Sequence, residues 1–190
     1  MGSSPGEGDI FDRLGERRIV FVRDPLDAAE ANRIIAEFLH LESRDPAAEI
    51  TLRITCAHAD LRAALAVYDT MQTIRPPVAT LCGGAATGGA ALLLAAGAIG
   101  RRTALPSAQV VLEQPKGKLG GSAREIDLEA RGLLRLRAQM NELLAHHTGQ
   151  PIERIERDTD RGLTLTAEEA RAYGLIDGIA GAGESSASRS

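Results

Sequence analysis

Four side chains are candidates for nucleophilic or acid–base chemistry. Cys56 and His58 lie two residues apart at the end of an apolar segment, so a Cys–His dyad is chemically conceivable. Thr87 supplies a hydroxyl within a glycine-rich segment, and Glu113 supplies a carboxylate that could accept a proton. Each also has a plainer interpretation. Cys56 and His58 could simply fill space at a strand end, Thr87 could be a turn threonine bonded to nearby backbone, and Glu113 could pair with Arg or Lys. The residue types alone therefore leave the chemistry open.

The composition argues against several classes of protein. The 190 residues carry a net charge of −4 and only 3% aromatic residues, so neither a basic nucleic-acid surface nor a base-stacking platform is expected. The longest apolar run, Ala90–Ala98, is shorter than a membrane span, and no signal peptide is visible. The 2 cysteines are typical of reduced cytosolic thiols. We predict a cytoplasmic protein without a cofactor, a metal site, a nucleic-acid partner or a membrane partner.

Strand-like and helix-like patterns alternate along the chain. The predicted strands are Arg18–Val22, Ile50–Thr55, Val78–Cys82 and Val110–Leu112. Asp27 and Asp60 are predicted to cap two helices, and an Ala/Leu helix over 90–98 is predicted to follow a glycine-rich turn over 83–89. Because the two patterns alternate at least three times, the chain is predicted to be α/β, with helices packed on a mostly parallel sheet.

A long helix is predicted from Ser122 to His147, with an apolar stripe that suits a partner. At about 26 residues it would measure roughly 39 Å, more than a small domain needs on its own surface. His146 and His147 fall at its end, where cations suit the helix dipole. A Thr166–Glu169 capping box predicts a further short helix that stops at Gly174. The domain prediction is a disordered segment over 1–8, one domain over 9–180 and a disordered tail over 181–190.

Several short blocks of residues, in order and in register, resemble the family of ClpP, the proteolytic subunit of the Clp protease. The blocks are YDTMQ at 68–72, LP at 105–106, QP at 114–115, MNEL at 140–143, HTGQ at 147–150 and ERDT at 156–159. The resemblance implies a crotonase-like fold of repeated ββα units with a protruding handle helix over about 116–148. It also implies a homo-oligomer of seven-membered rings, stacked in pairs through the handles.

The catalytic residues of the family do not carry over. The family is a Ser-His-Asp peptidase, which needs a hydroxyl to attack, an imidazole to take its proton and a carboxylate to hold the imidazole. The resemblance places Gly88 at the nucleophile, Glu113 at the base and Gly162 at the carboxylate. The turn that forms the oxyanion site is altered too, with His58, Ala59 and Gly89 at its positions.

The resemblance also implies docking and assembly positions. Two tyrosines and a phenylalanine that anchor an ATPase loop in the family correspond to Thr51, Arg53 and Thr73, so weak or no binding of a Clp ATPase is expected. Gln114 and Arg161 stand at family positions that serve assembly, and Arg161 corresponds to a residue that links rings. Assembly features are thus retained where catalytic and docking features are not.

The sequence therefore predicts a catalytically inactive ClpP-like subunit that still oligomerises. It could form its own barrel, or enter rings with an active ClpP paralogue and modulate it, or protect it as an inhibitor-resistance factor. Two alternatives are a peptidase with a displaced active site, using Thr87 or the Cys56–His58 pair, and a crotonase-like acyl-CoA enzyme that uses Glu113.

Overall fold

The computed structural model describes residues 13–115 and 122–181. The predictions for segments 1–8 and 182–190, and for the start of the handle before Ser122, lie outside these residues. In chain order the elements are β1 (Ile19–Val22), α1 (Ala28–Arg44), β2 (Ile50–Cys56), α2 (Leu61–Thr73), β3 (Val78–Thr87), α3 (Gly89–Ala95), β4 (Arg102–Ala104), β5 (Gln109–Leu112), α4 (Ala123–Thr148), α5 (Ile152–Asp160), β6 (Leu163–Thr166), α6 (Ala167–Tyr173) and β7 (Gly178–Ile179).

The strands form a mixed sheet that is mostly parallel, which confirms the predicted α/β fold. Strands β1, β2, β3, β4 and β7 run parallel in that order, and β5 pairs in parallel with the carboxyl end of β3. Strand β6 is antiparallel to β5. The Ala/Leu helix α3 is buried on every side, with residues 90–95 fully inaccessible, so it forms the centre of the core.

Side-chain caps begin the helices where the sequence predicts them. Asp27 Oδ1 accepts from the backbone N–H of Glu30 at 2.9 Å, and Asp60 Oδ1 accepts from that of Ala63 at 2.9 Å. Full capping boxes begin α4 at Ser122 and α6 at Thr166. These caps set the directions in which α1 and α2 leave the sheet, and so position the loops that precede them.

The glycine-rich segment after Cys82 differs from its prediction. It was expected to be a turn, but β3 continues to Thr87 because its last residues pair with β5. The two glycines form an irregularity in the pairing with β2, where a Cβ on Gly83 or Gly84 would lie 3.2 Å from the side chain of Thr55. Only Gly88 remains as the turn before α3, which ends at Ala95 rather than Ala98.

The long helix α4 carries the predicted handle. It ends at Gly149 in the left-handed conformation, with φ of +70°. Its carboxyl half packs on the domain through Met140 and Leu144, each 1% exposed. Its amino half leaves Leu128 and Leu134 exposed by 66% and 60%. No helix in the described part of the chain is long and apolar enough to cross a bilayer.

Candidate functional site

A cleft lies where β2, β3 and β5 reach their carboxyl ends. It has a volume of about 750 Å³. Its walls are the loop after β1, the loop after β2, the start of α3 and the segment after β5; the lining residues are Pro25, Leu26, Asp27, Ala57, His58, Ala59, Asp60, Leu61, Thr87, Gly88, Gly89, Glu113, Gln114, Pro115 and Met140. Ligand sites of parallel α/β sheets typically lie at this end of the strands. The cleft is therefore the candidate site.

Gly88 forms a sharp turn between strand β3 and helix α3. Its φ of +55° and ψ of −113° lie in a region that side chains rarely adopt, and its N–H donates to Val111 O at 2.9 Å. This strand–turn–helix arrangement is one that presents a nucleophile in hydrolases. A Cβ at Gly88 would lie 3.6 Å from Glu113 Cγ, so a side chain has room there and would stand against Glu113.

The register of β5 and β6 brings Glu113 and Gly162 together. Leu112 is paired with Leu163 in antiparallel register, so Glu113 and Gly162 occupy the next pair of positions. Gly162 has φ of +69°, and a Cβ there would meet no atom within 4 Å. Of the three positions that the family resemblance assigns to the triad, Gly88 and Glu113 line the cleft, and Gly162 stands next to Glu113 in the register outside the cleft lining.

The predicted oxyanion turn borders the same cleft. His58, Ala59 and Gly89 all line it. The loop is fixed against the segment after β1, since Leu26 N–H donates to His58 O at 2.9 Å and Asp60 N–H donates to Leu26 O at 2.9 Å. A Cβ at Gly89 would lie only 2.7 Å from Ala64 Cβ, so helix packing requires glycine there.

A His–Asp pair stands on this wall, and the sequence analysis missed it. His58 Nδ1 lies 3.0 Å from Asp24 Oδ2, while Asp24 Oδ1 accepts from the N–H groups of Ala57 at 3.0 Å and His58 at 2.7 Å. Hydrogen bonding from His58 holds the pKa of Asp24 below its usual value, so the carboxylate stays ionised. The available signal was that Asp24 and His58 both follow the carboxyl ends of neighbouring parallel strands.

Cys56 is not paired with the imidazole as a dyad would require. It is 1% exposed, and its Sγ contacts Asp24 Oδ1 at 3.5 Å and His58 O at 3.4 Å. Burial raises the pKa of Cys56 to about 11, which keeps the thiol protonated at neutral pH. These contacts do not support the Cys56–His58 alternative, because the imidazole is held by Asp24 instead.

Gln114 and Thr159 join the cleft to helix α5. Gln114 Nε2 donates to Thr159 Oγ1 at 2.7 Å, and Thr159 Oγ1 also lies 3.3 Å from the buried Asn141 Oδ1. Gln114 Oε1 is buried without a hydrogen-bond partner in the described part of the chain. Within one chain Gln114 therefore fixes the segment after β5, and its predicted role in assembly stays a prediction.

Arg161, predicted to link rings, is paired within its own chain. Its guanidinium lies 3.0 Å from Oδ1 of Asp158, whose side chain is 2% exposed. Tyr173 donates its hydroxyl to Asp158 Oδ2 at 2.9 Å. The Arg161 side chain remains 58% exposed, so it stays available for a contact between chains.

The predicted ATPase-docking residues lie on two elements. Thr51 and Arg53 point to the less buried face of β2, where Arg53 is paired in register with Phe21 and Leu81 of the neighbouring strands. Thr73 ends helix α2, and its hydroxyl donates back to Asp69 O at 2.6 Å. None of the three supplies an aromatic anchor, and their predicted weak docking stays a prediction.

His147, at the carboxyl end of the handle helix, does not carry the charge that was expected to suit the helix dipole. His147 Nε2 hydrogen bonds with Tyr68 Oη at 3.0 Å, and burial lowers the pKa of His147 to about 4. His147 is therefore neutral at physiological pH, so the expectation of a cation there is wrong for this residue. In the described part of the chain no three His, Cys, Asp or Glu side chains come together as a metal site.

The depressed pKa of His147 predicts a loss of stability in mild acid. An unfolded histidine takes up a proton near pH 6.5 and the folded one only near pH 4, so stability is complete above pH 6.5 and falls with pH below it. Between pH 7 and pH 5 the free energy of unfolding should fall by on the order of 2 kcal/mol. Urea unfolding at the two pH values measures this.

A matched pair of variants assigns that loss to one side chain. His147→Gln should remove most of the pH dependence, whereas His40→Gln, on the exposed face of α1, should retain it. Equal slopes in the natural chain and in His147→Gln would show that His147 is not the group responsible.

The fold and the cleft together define a mixed α/β protein with a hydrolase-like turn at the carboxyl ends of its central strands. A model of the Clp protease family matches residues 4–183 of the chain. Because the match covers nearly all of the sequence, the chain belongs to the Clp protease family, which confirms the resemblance seen in its short motifs.

Proposed function

We propose that this chain is a member of the Clp protease family that does not cleave peptides and acts through assembly. The observation that carries the proposal is that Gly88 and Glu113 lie side by side in the cleft, with Gly162 next to Glu113 in the β5–β6 register. Two glycines and a carboxylate supply neither an attacking hydroxyl nor an imidazole to take its proton. The family's mechanism then lacks each of its three reacting groups at those positions.

The remaining nucleophiles near the cleft do not replace the triad. Cys56 is a buried, protonated thiol. Thr87 lines the cleft, but in the described part of the chain no hydrogen bond joins its hydroxyl to an imidazole. A threonine hydroxyl is a weak nucleophile unless a base is hydrogen-bonded to it.

Assembly is supported by the handle. Its described part leaves Ile126, Leu128 and Leu134 exposed by 38%, 66% and 60% on one helix, which is more apolar surface than a solvent-facing helix needs. We propose that these residues are covered in a ring-forming homo-oligomer, with seven-membered rings stacked through the handles. Arg161 and Gln114 would contribute to that assembly, in the cytoplasm.

The effect on an active protease would come through mixed rings. A subunit that occupies a ring position without cutting changes the number of active sites, and one without a nucleophilic serine cannot be acylated by an inhibitor that targets it. The chain would thereby modulate or protect an active ClpP paralogue. The loss of aromatic anchors at Thr51, Arg53 and Thr73 would weaken docking of a Clp ATPase on its part of the ring.

An acyl-CoA enzyme is less well supported by the cleft. Coenzyme A carries several phosphates, and the described residues that line the cleft include Asp27, Asp60 and Glu113 but no Lys or Arg. Such walls disfavour a polyanionic ligand.

The test has an activity arm and an assembly arm. The purified chain should cleave a fluorogenic peptide at the rate of buffer, and native mass spectrometry should find it in rings, alone or mixed with an active ClpP paralogue. Leu128→Glu with Leu134→Glu should dissociate these rings. Gln139→Glu, a matched charge on another exposed position of α4, should leave them intact.

Two results would contradict the proposal. Peptide cleavage by the chain alone would show that hydrolysis survives. A monomer that neither forms rings nor changes the peptidase rate of an active paralogue would show that it does not act by assembly.

A further inference from the structure

The carboxylate of Asp24 is held in one position by the loop that it faces. Its Oδ1 accepts from two consecutive backbone N–H groups, those of Ala57 and His58, at 3.0 and 2.7 Å. The Cys56 thiol adds a contact at 3.5 Å. Several donors on one oxygen leave the second oxygen, Oδ2, with a fixed direction toward the His58 ring.

The imidazole of His58 is oriented by that second oxygen. Nδ1 lies 3.0 Å from Asp24 Oδ2, and the pairing favours the tautomer in which Nδ1 carries the proton and Nε2 has a free lone pair. The His58 side chain is 80% exposed and lines the cleft of about 750 Å³. A carboxylate that fixes the tautomer of an imidazole beside a cavity is the arrangement that general-base catalysis uses.

The walls of the cleft indicate which ligands fit it. Leu26, Leu61 and Met140 give it an apolar lining. Asp27 and Asp60 lie on the same walls, each held as an N-cap that accepts a backbone N–H at 2.9 Å. An uncharged ligand with an apolar acyl group suits such a cleft, whereas an anionic ligand is repelled.

We propose that His58, positioned by Asp24, is a general base that hydrolyses uncharged activated esters in this cleft by direct attack of water. His58 Nε2 takes a proton from a water molecule as the water oxygen bonds to the acyl carbon. The acyl C–O bond then breaks, and the leaving oxygen takes the proton back from the imidazolium. No bond to the protein forms, so this activity requires none of the residues that peptide cleavage in the family needs.

The first experiment uses p-nitrophenyl butyrate as the neutral ester and p-nitrophenyl hemisuccinate as its anionic counterpart. The natural chain should hydrolyse the neutral ester faster than buffer and discriminate against the anionic one. His58→Ala should lower kcat by about 100-fold, the usual contribution of a general base. His40→Gln, an exposed imidazole on α1 outside the cleft, should leave the rate unchanged.

Two further readouts separate chemistry from structure. Added imidazole should restore turnover to His58→Ala, which a structural role would not allow. Asp24→Asn should lower kcat with KM unchanged, because Asp24 acts only by positioning the base, and intact mass should show no acylated protein during turnover.

The proposal fails if the natural chain is no faster than buffer, if His58→Ala retains the full rate, or if the protein becomes acylated. These outcomes are distinct from failure of the proposed function. Cleavage of peptides or labelling by a serine-directed probe would overturn the proposed function. The role of His58 would still be decided by the ester assay alone.

Discussion

The variant that carries Gly88→Ser, Glu113→His and Gly162→Asp should gain peptidase activity. We expect hydrolysis of a fluorogenic peptide at a rate at least about 10³-fold above that of the natural chain, because a complete triad contributes several powers of ten. Strand β5 pairs with both β3 and β6, so the three positions lie at the ends of neighbouring strands. The longer side chains of the variant should therefore come within reach of one another.

The local geometry leaves space for a side chain at Gly88 and at Gly162. A Cβ at Gly88 would lie 3.6 Å from Glu113 Cγ, an ordinary contact, and one at Gly162 would meet no atom within 4 Å. The φ of +69° at Gly162 is one that Asp tolerates better than most residues. The strain of a serine at φ +55° is the kind that strand-to-helix nucleophile turns carry.

The matched control keeps two substitutions and withholds the hydroxyl. Gly88→Ala with Glu113→His and Gly162→Asp should stay at the background rate, since triad members act as a unit. If the serine-containing variant folds and assembles but cleaves no faster than this control, the three positions do not form the family's catalytic site.

Arg102→Met should lower the free energy of unfolding by about 3–5 kcal/mol, the usual cost of removing one partner of a buried ion pair. The Arg102 side chain is 10% exposed and bonds to Asp177 through Nε at 3.0 Å and Nη2 at 2.5 Å. Its Nη1 donates to three carbonyls, those of Ala95, His147 and Gly174. Methionine fills similar space but leaves these acceptors unpaired.

The location of these carbonyls explains the size of the effect. Ala95 is the last residue of α3, His147 lies in the last turn of α4, and Gly174 caps α6. One guanidinium therefore joins the core helix, the handle and the carboxyl-terminal segment. Arg101→Met is the matched control, because Arg101 is 63% exposed and pairs with Glu49 at the surface. It should cost no more than about 1 kcal/mol in denaturant unfolding. Equal stabilities for the two variants would contradict the role given to Arg102.

The sequence predicts correctly the elements whose start or end depends on residues close to one another in the chain. Asp27 and Asp60 have side-chain chemistry that begins a helix at a definite residue, and both cap where expected. The same holds for the capping boxes at Ser122 and Thr166 and for Gly174, whose φ of +94° ends α6. Long apolar periodicity likewise fixed the extent of α4 to within a residue at each end.

Features that depend on distant partners could not be predicted in this way. The short strand β4 exists because Arg102–Ala104 pairs with both β3 and β7. Strand β3 extends past its glycines because β5 lies beside it. The hydrogen bond between Tyr68 and His147 spans 79 residues, and that between His58 and Asp24 spans 34. No local pattern encodes such pairs.

Some residues of the candidate site could likewise be predicted from the sequence, and others could not. The positions Gly88, Glu113 and Gly162 came from the resemblance to the family, and the sheet register brings them together. The pairing of Asp24 with His58 was not predicted, because it emerges only when the carboxyl ends of β1 and β2 are placed side by side.

Reaction of the natural chain with a fluorophosphonate probe, followed by intact mass, tests the central claim most directly. A chain without an activated hydroxyl should keep its unmodified mass under conditions that label an active ClpP paralogue completely. A stoichiometric adduct on Thr87, or on any serine of the chain, would show that an activated nucleophile exists and would contradict the account.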